Sequence, residues 1–185
     1  MSRRLRWILL ALLVVVIGGA VALVVTQQPK LDDASAKVDD TWKPLRAPEQ
    51  LVARYQTLEG ALTAFDAAGG NGRDVSNDLH AALDAWGRAL RNGDADSQAT
   101  AANAVEAQGT RLVTNALASQ RLSSNPAVTD SLTKFRSTTP DPALVVAYNR
   151  AVRAYEDQRT STLSQPVARV LGFDARPVFE LGTDR

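Results

Sequence analysis

The stretch from Trp7 to Val25, WILLALLVVVIGGAVALVV, carries no charged or strongly polar side chain, and it constrains everything that follows. At about 1.5 Å of rise per residue it comes close to the roughly 20 apolar residues that a helix needs to cross a hydrocarbon core about 30 Å thick. A helix in lipid satisfies its own backbone, so the adjacent Gly18 and Gly19 are tolerated there although they would weaken a helix in water. The sequence therefore predicts a helix over 7–26 in contact with membrane lipid. Residues 1–6 form a short basic segment containing Arg3, Arg4 and Arg6. Cytoplasmic flanks carry an excess of Lys and Arg, so the N-terminus is expected in the cytoplasm and the C-terminal domain outside. The arrangement is single-pass in the cell membrane, with Trp7 at the interface. The competing reading is a cleaved signal peptide, for which Ala20-Val21-Ala22 has the small-x-small spacing. Signal-peptide cores usually have about 7 to 15 apolar residues; this run is longer and continues through Leu23, Val24 and Val25, which favours retention.

The length of 185 residues leaves room for one domain behind the anchor. With Arg3, Arg4 and Arg6 set aside, 18 basic residues face 20 acidic ones. Such a balance lacks the basic face of a nucleic-acid-binding domain, so no nucleic acid is expected as partner. The chain has no Cys and one His. It thus has no disulfide framework, thiolate or lipid-anchoring Cys, and too few nitrogen and sulfur ligands for a zinc site. No cofactor or metal is expected.

Beyond the span, apolar spacing predicts helices throughout. Leu31, Ala34, Val38 and Trp42 form one stripe, in a juxtamembrane segment (27–48) where Pro29 is expected to kink the chain and Pro44 and Pro48 to bend it. The segment 49–164 reads as a bundle. Leu51, Val52, Tyr55, Leu58, Leu62 and Phe65 make the clearest seam, closed by Gly69-Gly70-Asn71-Gly72. Val75, Leu79, Leu83, Trp86 and Leu90 mark an antiparallel partner, capped by Asp74 or Ser76 and ending at Asn92-Gly93. An alanine-rich helix follows with Thr100, Ala104, Val105, Leu112, Val113, Ala116 and Leu117, its small side chains allowing close approach. Asn125-Pro126 opens a short helix with Val128, Leu132 and Phe135. Leu144, Tyr148, Val152, Tyr155 and Leu163 mark the last long one. Strand signals are missing. The expected fold is all-α: an antiparallel bundle of four to five helices behind one transmembrane helix, with a C-terminal tail, 165–185, packed on the bundle.

The residues that carry chemistry have plain structural readings. His80 lies one position off an apolar stripe, as a surface or boundary histidine does. Asp32, Asp33, Asp39, Asp40, Asp94 and Asp96 form acidic pairs but lack the looped pattern of a calcium site. No nucleophile elbow or phosphate loop occurs. Tyr148 and Tyr155, seven apart, read as core aromatics with the hydroxyl at the edge. A buried Asn149 is expected to hydrogen-bond from helix to helix, since an unpaired group costs about 1 to 3 kcal/mol.

Tyr148-Asn149, Val152 and Tyr155 on the last helix are followed by Ala168, Gly172-Phe173 and Phe179-Glu180, and Val38-Asp39-Asp40-Thr41-Trp42 and Arg54-Tyr55 stand near the front of the chain. Taken in order, these motifs resemble the C-terminal signature and the N-terminal motifs of the LemA family. The chain departs from the pattern at Leu58-Glu59-Gly60, where Ile-Pro-Asn is typical, and at Tyr155-Glu156, where a second Tyr-Asn is typical. The resemblance implies a membrane-anchored helical bundle of the cell envelope and no active site. Trp42, Arg54, Tyr55, Tyr148, Asn149, Tyr155, Gly172, Phe173, Phe179 and Glu180 are its candidate signature or partner-binding residues. The expected role is non-enzymatic: scaffolding or interaction with another envelope or membrane protein, bound through an exposed face or through the C-terminal tail, whose removal from Leu171 onward should cost partner capture without unfolding the bundle. The alternative is an envelope sensor or accessory subunit. With only six residues before Trp7, it would relay through another membrane protein.

Overall fold

A computed structural model describes residues 3–93 and 95–182. Its described residues form eight helices and no strand: α1 (Arg3–Leu45), α2 (Ala53–Phe65), α3 (Asp74–Asn92), α4 (Ala95–Ala118), α5 (Gln120–Ser123), α6 (Pro126–Ser137), α7 (Pro142–Thr160) and α8 (Gln165–Leu171). The chain is all-α, with α2, α3, α4, α6 and α7 as the longer helices behind the N-terminal one. It divides into two compact units, each made of two stretches of chain: one from residues 1–38 and 151–176, the other from 39–150 and 177–185.

The larger unit is built of antiparallel pairs. Tyr55 of α2 meets Trp86 of α3 edge to face at 5.1 Å, while Asp66 accepts a hydrogen bond from Ser76 at 2.7 Å. Position 55 thus lies opposite 86, and 66 opposite 76. Gln98 of α4 donates to the Ala89 carbonyl of α3, and Arg111 pairs with Asp78, which gives α3 and α4 the same opposed sense. The seam residues Leu51, Tyr55, Leu58, Leu62 and Phe65 are all buried. Gly109 of α4 faces Leu58 and Phe135, and a Cβ there would lie 3.1 and 3.3 Å from them. The small side chain permits three helices to approach at one point. At the turn after Phe65, Gly69 has φ of 94°, a left-handed conformation that closes the helix.

The sequence reading is corrected at several places. Neither Asp74 nor Ser76 caps α3; Arg73 is the cap residue, whose guanidinium has no acceptor to offer the first-turn N–H groups, and Ser76 is turned to Asp66. Thr100 and Ala104 are exposed on α4, whose buried stripe runs through Ala102, Val105, Gly109, Leu112 and Ala116. Leu163 is exposed, because α7 stops at Thr160, before the stripe reaches it. Asp94 lies outside the described residues. The bend near Pro48 is present: α1 ends at Leu45, and Ala47, preceding the proline, is extended at φ −58°, ψ 156°; Pro44, also expected to bend the chain, instead lies within the last turn of α1.

In the other unit α1 runs unbroken past Pro29, where a kink or break was expected. The proline removes one backbone hydrogen bond, and contacts on both sides of it keep the helix continuous. Gln27 is buried and accepts from the Ser164 hydroxyl at 3.1 Å, and Ser164 in turn accepts from Gln158 at 2.7 Å. Leu31 packs with Val167 and Ala168, joined by Leu23, Val24 and Phe173. From Leu12 to Val25 the helix is largely bare: Val15 is 73% and Val25 66% exposed. It is long and apolar enough to cross a membrane. Left in water, a bare apolar surface of this length would aggregate.

Candidate functional site

The signature residues of the larger unit converge on one feature, the segment Pro177–Gly182, which has no regular structure of its own. Phe179, almost fully buried, is its anchor; its ring meets Trp42 edge-on at 5.9 Å, and Trp42 meets Tyr148 at 4.9 Å. The Trp42 indole N–H donates to Gln98 at 2.8 Å, which satisfies its single polar atom inside the core.

Around that anchor the tail's backbone is held by side-chain amides. Nδ2 of Asn149 donates to the Phe179 carbonyl at 2.8 Å, and its Oδ1 accepts from the Phe179 N–H at 2.8 Å. Asn103 of α4 repeats this one residue to either side: it donates to the Val178 carbonyl at 2.7 Å and accepts from the Glu180 N–H at 2.9 Å. An extended segment points the N–H and C=O of one residue to one edge and those of its neighbours to the other. Two asparagine amides therefore occupy both edges as adjacent strands would. The Tyr148 hydroxyl adds a bond to the Pro177 carbonyl at 2.8 Å. Asn149 thus binds from helix to tail, which corrects the expected helix-to-helix bond. Through Phe179 the segment 177–182 takes part in the core of this unit. Glu180 contributes its backbone here and leaves its side chain exposed.

The tail ends on a buried ion pair. Arg54 and Glu106 are 4% and 2% exposed and meet in a two-pronged pair, Nε to Oε1 at 2.7 Å and Nη2 to Oε2 at 2.9 Å. The remaining guanidinium nitrogen donates to the Thr138 and Phe135 carbonyls at 2.8 and 3.2 Å, and the group lies 4.2 Å from the Phe135 ring centre. Glu106 also accepts from the Gly182 N–H at 3.0 Å. A Cβ on Gly182 would collide with the Glu106 backbone and Thr110, so only glycine fits there. Beside the pair, Tyr55 donates to the Ala102 carbonyl at 3.2 Å. Burial pushes its phenol well above the usual value; the Glu106 carboxylate adds to the shift and Arg54 opposes it. A cleft of about 600 Å³ borders this end of the tail, lined by Asn103, Glu106, Thr110, Val178 and Gly182 among others.

In the smaller unit the second signature pair does a related job. The buried Tyr155 donates to the Asp174 carbonyl at 2.8 Å, and Glu156 accepts from the Arg176 N–H at 3.1 Å. The Arg176 guanidinium lies 5.6 Å from the Tyr155 ring centre and donates to the Ser35 carbonyl at 3.2 Å. Gly172, with φ of 74°, ends α8, and Phe173 folds back half-buried on Leu31, Val167 and Ala168.

His80 is mostly exposed and lies 3.0 Å from Asp66. Among the described residues no group of three or more acidic or histidine side chains is placed to hold a metal ion. Sequence reasoning missed Glu106, Asn103, Gln98 and Gly182. The signal for Glu106 and Gln98 was available, since each is a polar residue at three-to-four spacing within the apolar stripe of α4. Searches against family models, curated proteins and solved structures find no match to this chain.

Proposed function

We propose that this chain is a membrane-anchored, LemA-like helical bundle of the cell envelope with a non-enzymatic interaction or scaffolding role. Its N-terminus is cytoplasmic, its C-terminal domain is outside, and its partner is another envelope or membrane protein. One observation carries the reading: the polar signature side chains are committed to the chain's own fold. A catalytic acid, base or nucleophile must direct a proton or lone pair at a substrate. Tyr148, Asn149 and Tyr155 direct theirs at the tail's backbone, and Arg54 directs its donors at Glu106 and two carbonyls. What such a bundle offers a partner is its outer surface, with Leu117 and Val146 exposed by more than half.

The test is photocrosslinking in cells from probes placed at Leu117 and Val146, with a topology reporter fused after residue 185. The expected result is one defined envelope protein captured from at least one position and a reporter active outside. A survey of the exposed surface that captures nothing counts against a scaffold. A cytoplasmic reporter overturns the orientation.

A further inference from the structure

Helix α8 is held at a fixed level along α1. Ser164, fully buried just ahead of it, is bonded to Gln27, and Val167 and Ala168 pack with Leu31 and with Leu23 and Val24. Leu23 and Val24 are the two residues before Val25, where the apolar run ends. The contacts on α1 thus span residues 23 to 31, about 12 Å of helix, and begin inside the run.

The exposed side chains in and just before α8 include three large apolar ones beside Gln165, Pro166 and Arg169. Val170 is 78%, Leu163 59% and Leu171 41% exposed, and Arg169 stands exposed among them. Single exposed apolar residues need no explanation. These three sit within nine residues, at the level where α1 leaves its apolar run. An arginine beside them has a long apolar stem and a cationic head, which suits the boundary between acyl chains and phosphates.

We propose that α8 is an interfacial helix, seated in the leaflet from which α1 emerges, with Leu163, Val170 and Leu171 among the upper acyl chains and Arg169 reaching lipid phosphates. The occupant of this face is phospholipid, continuous with the lipid around α1. The inference rests on residues 7–26 lying in a bilayer, and it is indifferent to which side faces the cytoplasm. It gives the anchor a second point of membrane contact, remote in sequence from the first.

The lack of cysteine makes the test direct. Single-cysteine variants V15C, A36C, L163C and V170C of the full chain are labelled with an environment-sensitive fluorophore. Each is reconstituted in phosphatidylcholine–phosphatidylglycerol vesicles. Ala36 is exposed on α1, eleven residues and about 16 Å beyond Val25, and serves as the aqueous reference. Lipids brominated high on the acyl chain should quench V170C and L163C, lipids brominated deeper should quench V15C, and iodide should quench only A36C. Iodide quenching of V170C and L163C, with V15C still quenched by lipid, overturns the proposal. Protection from both quenchers that is lost on diluting protein into lipid would mean that a second copy covers α8, and overturns it too. If V15C escapes lipid quenching, the bilayer placement of 7–26 fails first, and the interfacial helix with it.

Discussion

Tyr148 and Tyr155 lie seven residues apart on α7, one in each compact unit, and both donate at 2.8 Å to a carbonyl of the chain beyond α8. Their neighbours differ. Asn149 can both give and accept, so it pairs with the N–H and the C=O of Phe179 together. Glu156 can only accept; it takes the Arg176 N–H and adds an ion pair with Arg159 at 2.7 Å. Downstream, Phe179 is buried against Trp42, whereas Phe173 is half-buried on a small aliphatic cluster. The amide thus marks a segment clamped on both edges and the carboxylate one that is held on fewer groups. The Tyr155-Glu156 pair is the one that holds less.

This contrast can be broken from its strongest point downward. Glu106→Ala leaves the Arg54 cation buried without its counter-charge and the Gly182 N–H without its acceptor. About 3 to 5 kcal/mol of stability should be lost in denaturant unfolding. Asn149→Leu removes both partners of the Phe179 peptide group and should cost about 1 to 3 kcal/mol per group left unpaired. An equal loss from Glu156→Leu would erase the distinction between the two pairs. Tyr55→Phe removes one hydrogen bond, worth about 0.5 to 1.5 kcal/mol at neutral pH. It should also flatten the alkaline limb. The folded state keeps the Tyr55 proton above the pH, about 10, where the unfolded chain releases it. Stability from this group is therefore full below pH 10 and falls as pH rises further. Glu156→Gln keeps an acceptor for Arg176 and loses only a partly exposed ion pair, so the change should stay within about 1 kcal/mol.

The helical seams were legible because apolar spacing reports burial directly, as Leu51, Tyr55, Leu58, Leu62 and Phe65 show. Of the ten residues singled out in the sequence, the structure brings Trp42, Tyr148, Asn149 and Phe179 together; what each one touches was not legible. The continuity of α1 was not legible. Pro29 is a local signal to break, and Gln27 and Leu31, which oppose it, act through residues more than 130 positions away. Glu106 left a signal in the stripe of α4, but Asn103, half-buried beside that stripe in an alanine-rich helix, left none. Helix α8 is short, and its two buried residues, Val167 and Ala168, give no period to recognise.

Asn149 and its neighbours bind the tail's backbone, and amide hydrogen exchange of the full chain measures that binding residue by residue. The N–H groups of Phe179, Glu180 and Gly182 each have an acceptor, while those of Val178 and Leu181 have none among the described residues. The expected result is slow exchange at 179, 180 and 182 beside fast exchange at 178 and 181, with protection at 179 lost in Asn149→Leu. Uniformly fast exchange across 177–182 in the unmodified chain would contradict the account.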